Sequence, residues 1–98
     1  MEIREAQEMM RQIYLKRDRE RGIERTILRT YEELAELSEA IQGKESRREL
    51  EGEFGDVLAW LCSLANLLDI DLDTALLSKY DHVCSRCRKA PCECSDTP

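Results

Sequence analysis

The stretch GEFGDVLAWLCSLANLL, from Gly52 to Leu68, decides the fold class. From Phe54 onward it is mostly apolar, and it is long enough for a buried helix rather than a strand. Yet Glu53 and Asp56 stand three residues apart in its first turns. A bare carboxylate is costly to bury, so a buried one usually becomes neutral or finds a partner, either a basic side chain or a metal ion. The stretch therefore predicts a core helix that carries carboxylates for a purpose other than packing.

Helical periodicity extends through the rest of the chain as far as Tyr80. The predicted helices cover residues 3 to about 19, 23 to 42, about 46 to 68 and about 71 to 80. Gly22 and Gly43 end the first two helices. Ser46, in a capping-box pattern SRRE, and Asp71 are suitable N-caps for the last two. Because no strand pattern is present, the sequence predicts an all-α protein, an antiparallel bundle of about four helices with short loops.

Composition limits the classes of partner. The 98 residues carry a formal net charge of −6, so nucleic acid, which needs a clustered basic surface, is not an expected partner. The absence of a signal pattern and of an apolar run of about 18 residues predicts a cytoplasmic protein that does not enter a membrane. The third helix is apolar over most of its circumference, which predicts a homo-oligomer, either a dimer or a dimer of dimers.

A second group of carboxylates lies on the second predicted helix, in EELAELSEA. Glu32, Glu33, Glu36 and Glu39 are close neighbours there, and like charges at such spacing repel by a few tenths of a kcal/mol per pair. Either this face is solvated or cations occupy it. If the second and third helices pack antiparallel, Glu33 and Glu36 can face the two carboxylates of the third helix. Hard oxygen ligands in that number suit Mg²⁺ or Mn²⁺ better than zinc.

The spacing of these carboxylates carries a family resemblance. EELAE (Glu32 to Glu36), then EFGD (Glu53 to Asp56) after about sixteen residues, resembles the EExxE…ExxD pattern of the MazG-like all-α nucleotide pyrophosphohydrolases. RGIERT, DVLAWLCSLANLLDIDLDTAL and SKY extend the resemblance over roughly residues 3 to 80. It implies Mg²⁺-dependent hydrolysis of nucleoside triphosphates to monophosphate and pyrophosphate, which would clear non-standard or surplus (d)NTPs.

The same resemblance, carried over position by position, implies roles for single residues. The implied metal ligands are Glu33, Glu36, Glu53 and Asp56. Glu32 matches the first glutamate of the motif and would hold or activate water. Lys79 matches a family lysine that contacts phosphate. Further candidates for the phosphate contact are Arg21, Lys16 and Arg25.

Two features of the third helix each admit two interpretations. Trp60 can stack on a nucleobase, although a tryptophan in an apolar helix is more often a core residue. Small residues form a strip at Gly52, Gly55, Ala59 and Ser63. This strip suits either close helix packing or room for a nucleotide.

A cysteine-rich tail, residues 84–98, is predicted to be separate from the helical domain, residues 1–83. Its cysteines, in the pattern CxxCxxxxCxC, are Cys84, Cys87, Cys92 and Cys94. Four thiolates can close a tetrahedral Zn²⁺ site, although this spacing differs from that of paired CxxC knuckles. The alternative is a flexible or redox-active tail, and His82 beside it could replace one thiol.

The sequence leaves two functions open. The first is the Mg²⁺-dependent pyrophosphohydrolase. The alternative is a non-enzymatic helical oligomerisation or interaction module, whose carboxylates hold a structural cation or none and whose cysteine tail binds a metal. Release of pyrophosphate from any nucleoside triphosphate in Mg²⁺ separates the two.

Overall fold

The computed structural model describes residues 1–95, which form four α-helices and no β-strand. The helices are α1 (Ile3–Arg21), α2 (Ile23–Gln42), α3 (Arg47–Leu67) and α4 (Leu72–Lys79). The predicted all-α class with four helices is therefore confirmed, and the largest difference is that α1 continues to Arg21. The end of the predicted tail, residues 96–98, lies outside the described residues.

Short-range polar contacts explain where the helices begin. Ser46 Oγ accepts a hydrogen bond from Glu49 N at 3.2 Å, and Asp71 Oδ1 accepts one from Thr74 N at 3.0 Å. Both predicted N-caps are thus confirmed. Gly22, which alone separates α1 from α2, has a φ of 89°. That backbone conformation is accessible to glycine and costly for residues with a side chain.

α3 is the central helix, because α1 and α2 both pack mainly on it and make few contacts with each other. α2 runs antiparallel to α3: its Arg29 lies over Trp60, whereas Glu33, one turn later, meets Glu53, which is earlier in α3. This arrangement brings together the two helices that carry the acidic motifs.

A polar network joins α1, α3 and α4 at the opposite end of α3. Gln7 Nε2, in α1, donates to Asn66 Oδ1 at 3.0 Å, and Asn66 Nδ2 donates to Gln7 O at 3.1 Å. Gln7 Oε1 also accepts from Leu72 N, at the start of α4, at 2.9 Å. Since both side chains are buried, these bonds fix α1 antiparallel to α3 and set the position of α4.

The apolar core of the single chain is small. Among residues 1–95, the buried apolar side chains are Leu37, Ala40, Cys62 and Ala65. The chain exposes 7757 Å², against about 5,800 Å² for a folded monomer of its mass. Its radius of gyration is 15.7 Å, against roughly 12.6 Å for a domain of this length. Much apolar surface is therefore left uncovered by the chain itself.

This uncovered surface follows two helical stripes. The stripe on α2 contains Ile27, Tyr31 and Leu34, and the stripe on α3 contains Phe54, Leu58 and Leu61. Tyr31 is 70% exposed and Phe54 is 57% exposed, although both belong to the helices that hold the carboxylates. Within the described chain, none of the helices is long and apolar enough to cross a membrane.

Candidate functional site

Three acidic side chains meet where α2 packs on α3. Glu33, Glu53 and Asp56 each offer an oxygen, and these oxygens all lie within 4.8 Å of one another. Glu33 is buried, Glu53 is half-buried and Asp56 is exposed. The structure thus brings together three of the four residues that the sequence predicts as metal ligands. We refer to these three residues as the carboxylate triad.

Glu36, the fourth predicted ligand, lies one turn beyond Glu33 on α2 and is exposed. It stands outside the triad but borders it, because it lines an acidic cleft of about 260 Å³ that includes Glu53. The acidic residues that line this cleft are Glu36, Glu39, Glu45, Glu49 and Glu53. The negative charge therefore continues from the triad into an open cleft.

The electrostatics of the triad centre on Glu33. Burial raises its pKa above the usual value of 4.5; Glu36 and Asp56 raise it further, and the charge of Arg29 lowers it. Arg29 Nη2 lies 3.0 Å from Glu33 Oε1, and its Nη1 lies 3.1 Å from Glu32 Oε1. The single positive charge of Arg29 is thus shared by two adjacent glutamates. It does not neutralise the three carboxylates of the triad.

Two buried carboxylate oxygens of the triad also lack a hydrogen-bond partner among the described residues. Glu33 Oε2 and Glu53 Oε2 accept no hydrogen bond within residues 1–95. An unpaired buried carboxylate oxygen is destabilising, and a divalent cation would satisfy both oxygens. With Mg–O bonds of about 2.0–2.1 Å, ligands on opposite sides of Mg²⁺ stand about 4 Å apart. The donor type and spacing of the triad therefore fit Mg²⁺ or Mn²⁺.

A second cavity, of about 210 Å³, opens beside Asp56 and is lined by α1 and α3. Asp18, from α1, lies in its wall and is 1% exposed. Asp18 Oδ1 accepts from Arg21 Nη1 at 2.8 Å, whereas Oδ2 has no partner in the described part of the chain. A fixed, unpaired acceptor in a cavity wall suits a ligand that carries an N–H or O–H donor.

Trp60 forms another part of this wall and contacts two cations. The guanidinium carbons of Arg21 and Arg29 lie 4.6 Å and 5.2 Å from the centre of its ring. Such cation–π contacts hold both arginines beside the carboxylates. The ring is half-buried, so a base that stacked on it would compete with guanidinium groups already there.

The predicted phosphate contacts fall in different places. Arg21 lines the cavity beside Asp56. Lys16 and Arg25 are exposed and do not line that cavity. Lys79, at the end of α4, lines a separate cavity with residues of the cysteine tail. Of these four candidates, Arg21 alone lines a cavity that also includes a triad residue, Asp56.

The four small residues of α3 lie in two different environments. Ala59 and Ser63 line the cavity that contains Asp18. At Gly52 and Gly55, an added Cβ atom would meet nothing within 4 Å. Close packing within the chain therefore does not explain these two glycines.

Two residues of the site were missed by sequence reasoning. Arg29 has a local signal, since it precedes Glu32 and Glu33 by three and four residues, the spacing of helical ion pairs. The sequence signal for Asp18 is weaker. Asp18 precedes Arg21 by three residues, but both lie within the charged run RDRER. Nothing in that run predicts that Asp18 is buried.

The tail contains a second cluster of metal-ligating atoms. The four Sγ atoms of Cys84, Cys87, Cys92 and Cys94 lie within 4.8 Å of one another, so this cluster could hold a metal ion. Hydrogen bonds from the backbone amides of Cys87 and Arg86 lower the pKa of Cys84 to about 6. Hydrogen bonding with Cys92 and then Cys84 raises the pKa of Cys94 to about 12.

The fold and the triad together define a class: an all-α protein with three carboxylates, grouped between two antiparallel helices, that could hold a metal ion. The model of the MazG nucleotide pyrophosphohydrolase domain matches residues 21–89, more than half of the chain. The chain therefore belongs to this family. The match includes both acidic motifs and extends past residue 83, the predicted domain boundary, into the tail. No match is found among curated proteins.

Proposed function

We propose that the protein hydrolyses nucleoside triphosphates to nucleoside monophosphates and pyrophosphate in a Mg²⁺-dependent reaction. The observation that carries this proposal is the carboxylate triad with its two unpaired buried oxygens. Membership of the MazG family supports a nucleotide as the substrate. The removal of non-standard or surplus (d)NTPs is the role that the family resemblance favours.

The cation would be held by Glu33, Glu53 and Asp56, with Glu36 joining them from the acidic cleft. Bound Mg²⁺, or Mn²⁺ in its place, offsets the charge of the triphosphate and lowers the pKa of a coordinated water. The helices contribute rigidity, because Glu33 is buried and its Oε1 is fixed by Arg29 at 3.0 Å. Ligands held in this way need little reorganisation when the substrate binds.

Glu32 would accept the proton of the attacking water. Water adds to phosphorus at the link between the α- and β-phosphates, the bridging P–O bond breaks, and the bridging oxygen keeps the electron pair. The carboxylate of Glu32 is half exposed and therefore accessible to water, while Arg29 fixes its orientation at 3.1 Å. A carboxylate so placed can act as a general base.

The cavity beside Asp56 would receive the nucleoside. Asp18 Oδ2, unpaired and buried, would accept a hydrogen bond from the base or the sugar. Arg21 lines the same cavity, donates to Asp18 Oδ1 and lies over the Trp60 ring, which makes it a better candidate for a phosphate contact than Lys16, Arg25 or Lys79. Trp60 would then act mainly by holding Arg21, and base stacking on its ring is the less favoured role.

We also propose that the chain forms a homo-oligomer, a dimer or a dimer of dimers, through the apolar stripes of α2 and α3. The exposed surface exceeds that of a typical monomer by about 2,000 Å², and a standard interface needs about 800 Å² per partner. Leu58→Glu should therefore dissociate the oligomer in sedimentation equilibrium. Gln42→Glu, on the exposed surface of α2, is the control and should leave it intact.

The activity is tested by incubating purified protein with a panel of canonical and modified NTPs and dNTPs, with and without Mg²⁺. We expect at least one substrate to yield equal amounts of monophosphate and pyrophosphate, only when the metal is present. If no compound in the panel is hydrolysed, the proposal is wrong and the helical interaction module becomes the better interpretation.

A matched pair of variants on α3 locates the activity. Glu53→Gln removes a ligand charge and should lower kcat/KM at least about 100-fold, because metal-assisted charge stabilisation contributes several kcal/mol. Glu51→Gln, two residues earlier and exposed, should change it less than about twofold. Equal losses in the two variants would argue against the triad as the metal site.

A further inference from the structure

We propose that Cys84, Cys87, Cys92 and Cys94 form a structural tetrathiolate Zn²⁺ site that is independent of the carboxylate triad. Zn–S bonds are about 2.3 Å long, so the sulfurs of a tetrahedral site stand about 3.8 Å apart. The Sγ atoms of Cys84 and Cys94 are 3.7 Å apart, and those of Cys87 and Cys92 are 4.0 Å apart. The remaining pairs also lie within 4.8 Å.

This geometry favours one metal over two disulfides. A disulfide needs two sulfurs about 2.0 Å apart and makes no demand on a third sulfur. Here all four sulfurs approach one common centre. A closed set of four protein ligands is typical of structural zinc, whereas catalytic zinc keeps a position for water.

Backbone amides support the sulfurs. Arg86 N donates to Cys84 Sγ at 3.4 Å, and Glu93 N donates to Cys87 Sγ at 3.3 Å. Cys94 N donates to Cys92 Sγ, also at 3.3 Å. Outer hydrogen bonds of this kind orient the ligands of a metal and offset the negative charge on them.

The local charge also suits the site. Four thiolates around Zn²⁺ carry a net charge of −2, and the thiol protons go to solvent on binding. Although the chain as a whole is acidic, residues 84–94 contain three basic side chains, Arg86, Arg88 and Lys89, and one acidic side chain, Glu93. The segment therefore supplies positive charge around the four thiolates.

His82 is not needed as a ligand. Its side chain is 89% exposed, and its Nδ1 lies 3.1 Å from Asp81 Oδ1. Soft sulfur ligands select Zn²⁺ over Mg²⁺, so the two clusters would not compete for the same metal. The zinc would fix the tail at the end of α4, where Lys79 and Tyr80 line a cavity with Cys84, Cys92 and Cys94.

Metal analysis of the whole chain tests the proposal. Protein purified under reducing conditions, loaded with Zn²⁺ and desalted should contain about one zinc per chain. Cys87→Ser should lose it. Cys62→Ser is the matched control, because Cys62 is buried in α3, away from the cluster, and it should retain the zinc. Asp56→Asn should retain it as well, which excludes the triad as the source of the signal.

A second measurement identifies the ligands. Co²⁺ loaded in place of zinc should give thiolate-to-metal charge-transfer absorption in the wild type and in Cys62→Ser, and none in Cys92→Ser. Circular dichroism of each variant should show unchanged helix content. The proposal is overturned if the reduced wild type binds no zinc, if Cys87→Ser keeps its zinc, or if the cobalt spectrum shows no thiolate ligands.

Discussion

The carboxylate triad and the cysteine cluster differ in ligand and in scaffold. The triad takes hard oxygens from two helices, with Glu33 and Glu53 twenty residues apart. The cluster takes soft sulfurs from eleven consecutive residues that lie outside any helix. Ligands set by helix packing persist without a metal, although they repel one another. Ligands on an irregular segment depend far more on the metal. Metal removal should therefore leave the triad folded but strained by repulsion, whereas it should unfold the tail.

The largest expected effect concerns the tail. Trypsin sites at Arg86, Arg88 and Lys89 lie between the cysteines. Because metal binding provides most of the folding energy of small zinc sites, zinc removal should speed cleavage there at least about 100-fold. Mass spectrometry of the fragments over time measures this effect. Simultaneous loss of helical circular dichroism would contradict the division between the helical domain, residues 1–83, and the tail.

The next effect concerns metal affinity at the triad. Asp56→Asn removes one charged ligand and should weaken Mn²⁺ or Mg²⁺ binding by about 10–100-fold or more. Isothermal titration calorimetry provides the measurement. Asp73→Asn, on α4 and outside the triad, is the control. Unchanged affinity in Asp56→Asn would show that the triad does not bind the cation.

A smaller effect concerns stability without metal. The raised pKa of Glu33 means that the folded state binds this proton more tightly than the unfolded state does. Below about pH 4.5 the Glu33 carboxyl is protonated, uncharged and does not destabilise the fold. As the pH rises from about 4.5 through the raised pKa, the carboxyl ionises and the stability of the fold falls. In Mg²⁺-free buffer at neutral pH, Glu33→Gln should therefore be more stable by on the order of 1 kcal/mol.

Urea unfolding at several pH values measures this difference. Glu51→Gln removes an exposed charge from α3 and should change the free energy of unfolding only slightly relative to the wild type. Saturating Mg²⁺ should abolish or reverse the advantage of Glu33→Gln, since the ion binds only the wild-type carboxylate tightly. An advantage of Glu33→Gln over the wild type that does not grow with rising pH across this range would contradict the electrostatic account.

The smallest effect concerns the helix that carries Glu53 and Asp56. Ser46→Ala removes the N-cap of α3 and should lower the free energy of unfolding by about 1 kcal/mol. Ser46→Asp, which can still accept the Glu49 N–H, should restore it. By contrast, Cys87→Ser should leave the thermal unfolding of the helices almost unchanged. A large loss of helix stability in Cys87→Ser would show that the tail supports the helical domain.

The sequence predicted those features that depend on local chemistry. Glycines, N-caps and apolar periodicity located the four helices, and the two motifs named four carboxylates, of which the structure brings Glu33, Glu53 and Asp56 together. Asp18 and Lys79 could not be placed in this way. The burial of Asp18 depends on how α1 crosses α3, and the position of Lys79 depends on the polar network that directs α4. Both are consequences of tertiary packing, which a local pattern does not contain.

The most direct measurement compares pyrophosphate release in Asp56→Asn and Cys87→Ser, with metal content determined on the same samples. Asp56→Asn should lose at least about 99% of the Mg²⁺-dependent release and keep its zinc. Cys87→Ser should lose its zinc and keep most of the release. Release that survives Asp56→Asn, or that disappears with the zinc in Cys87→Ser, would contradict the assignment of hydrolysis to the carboxylate triad.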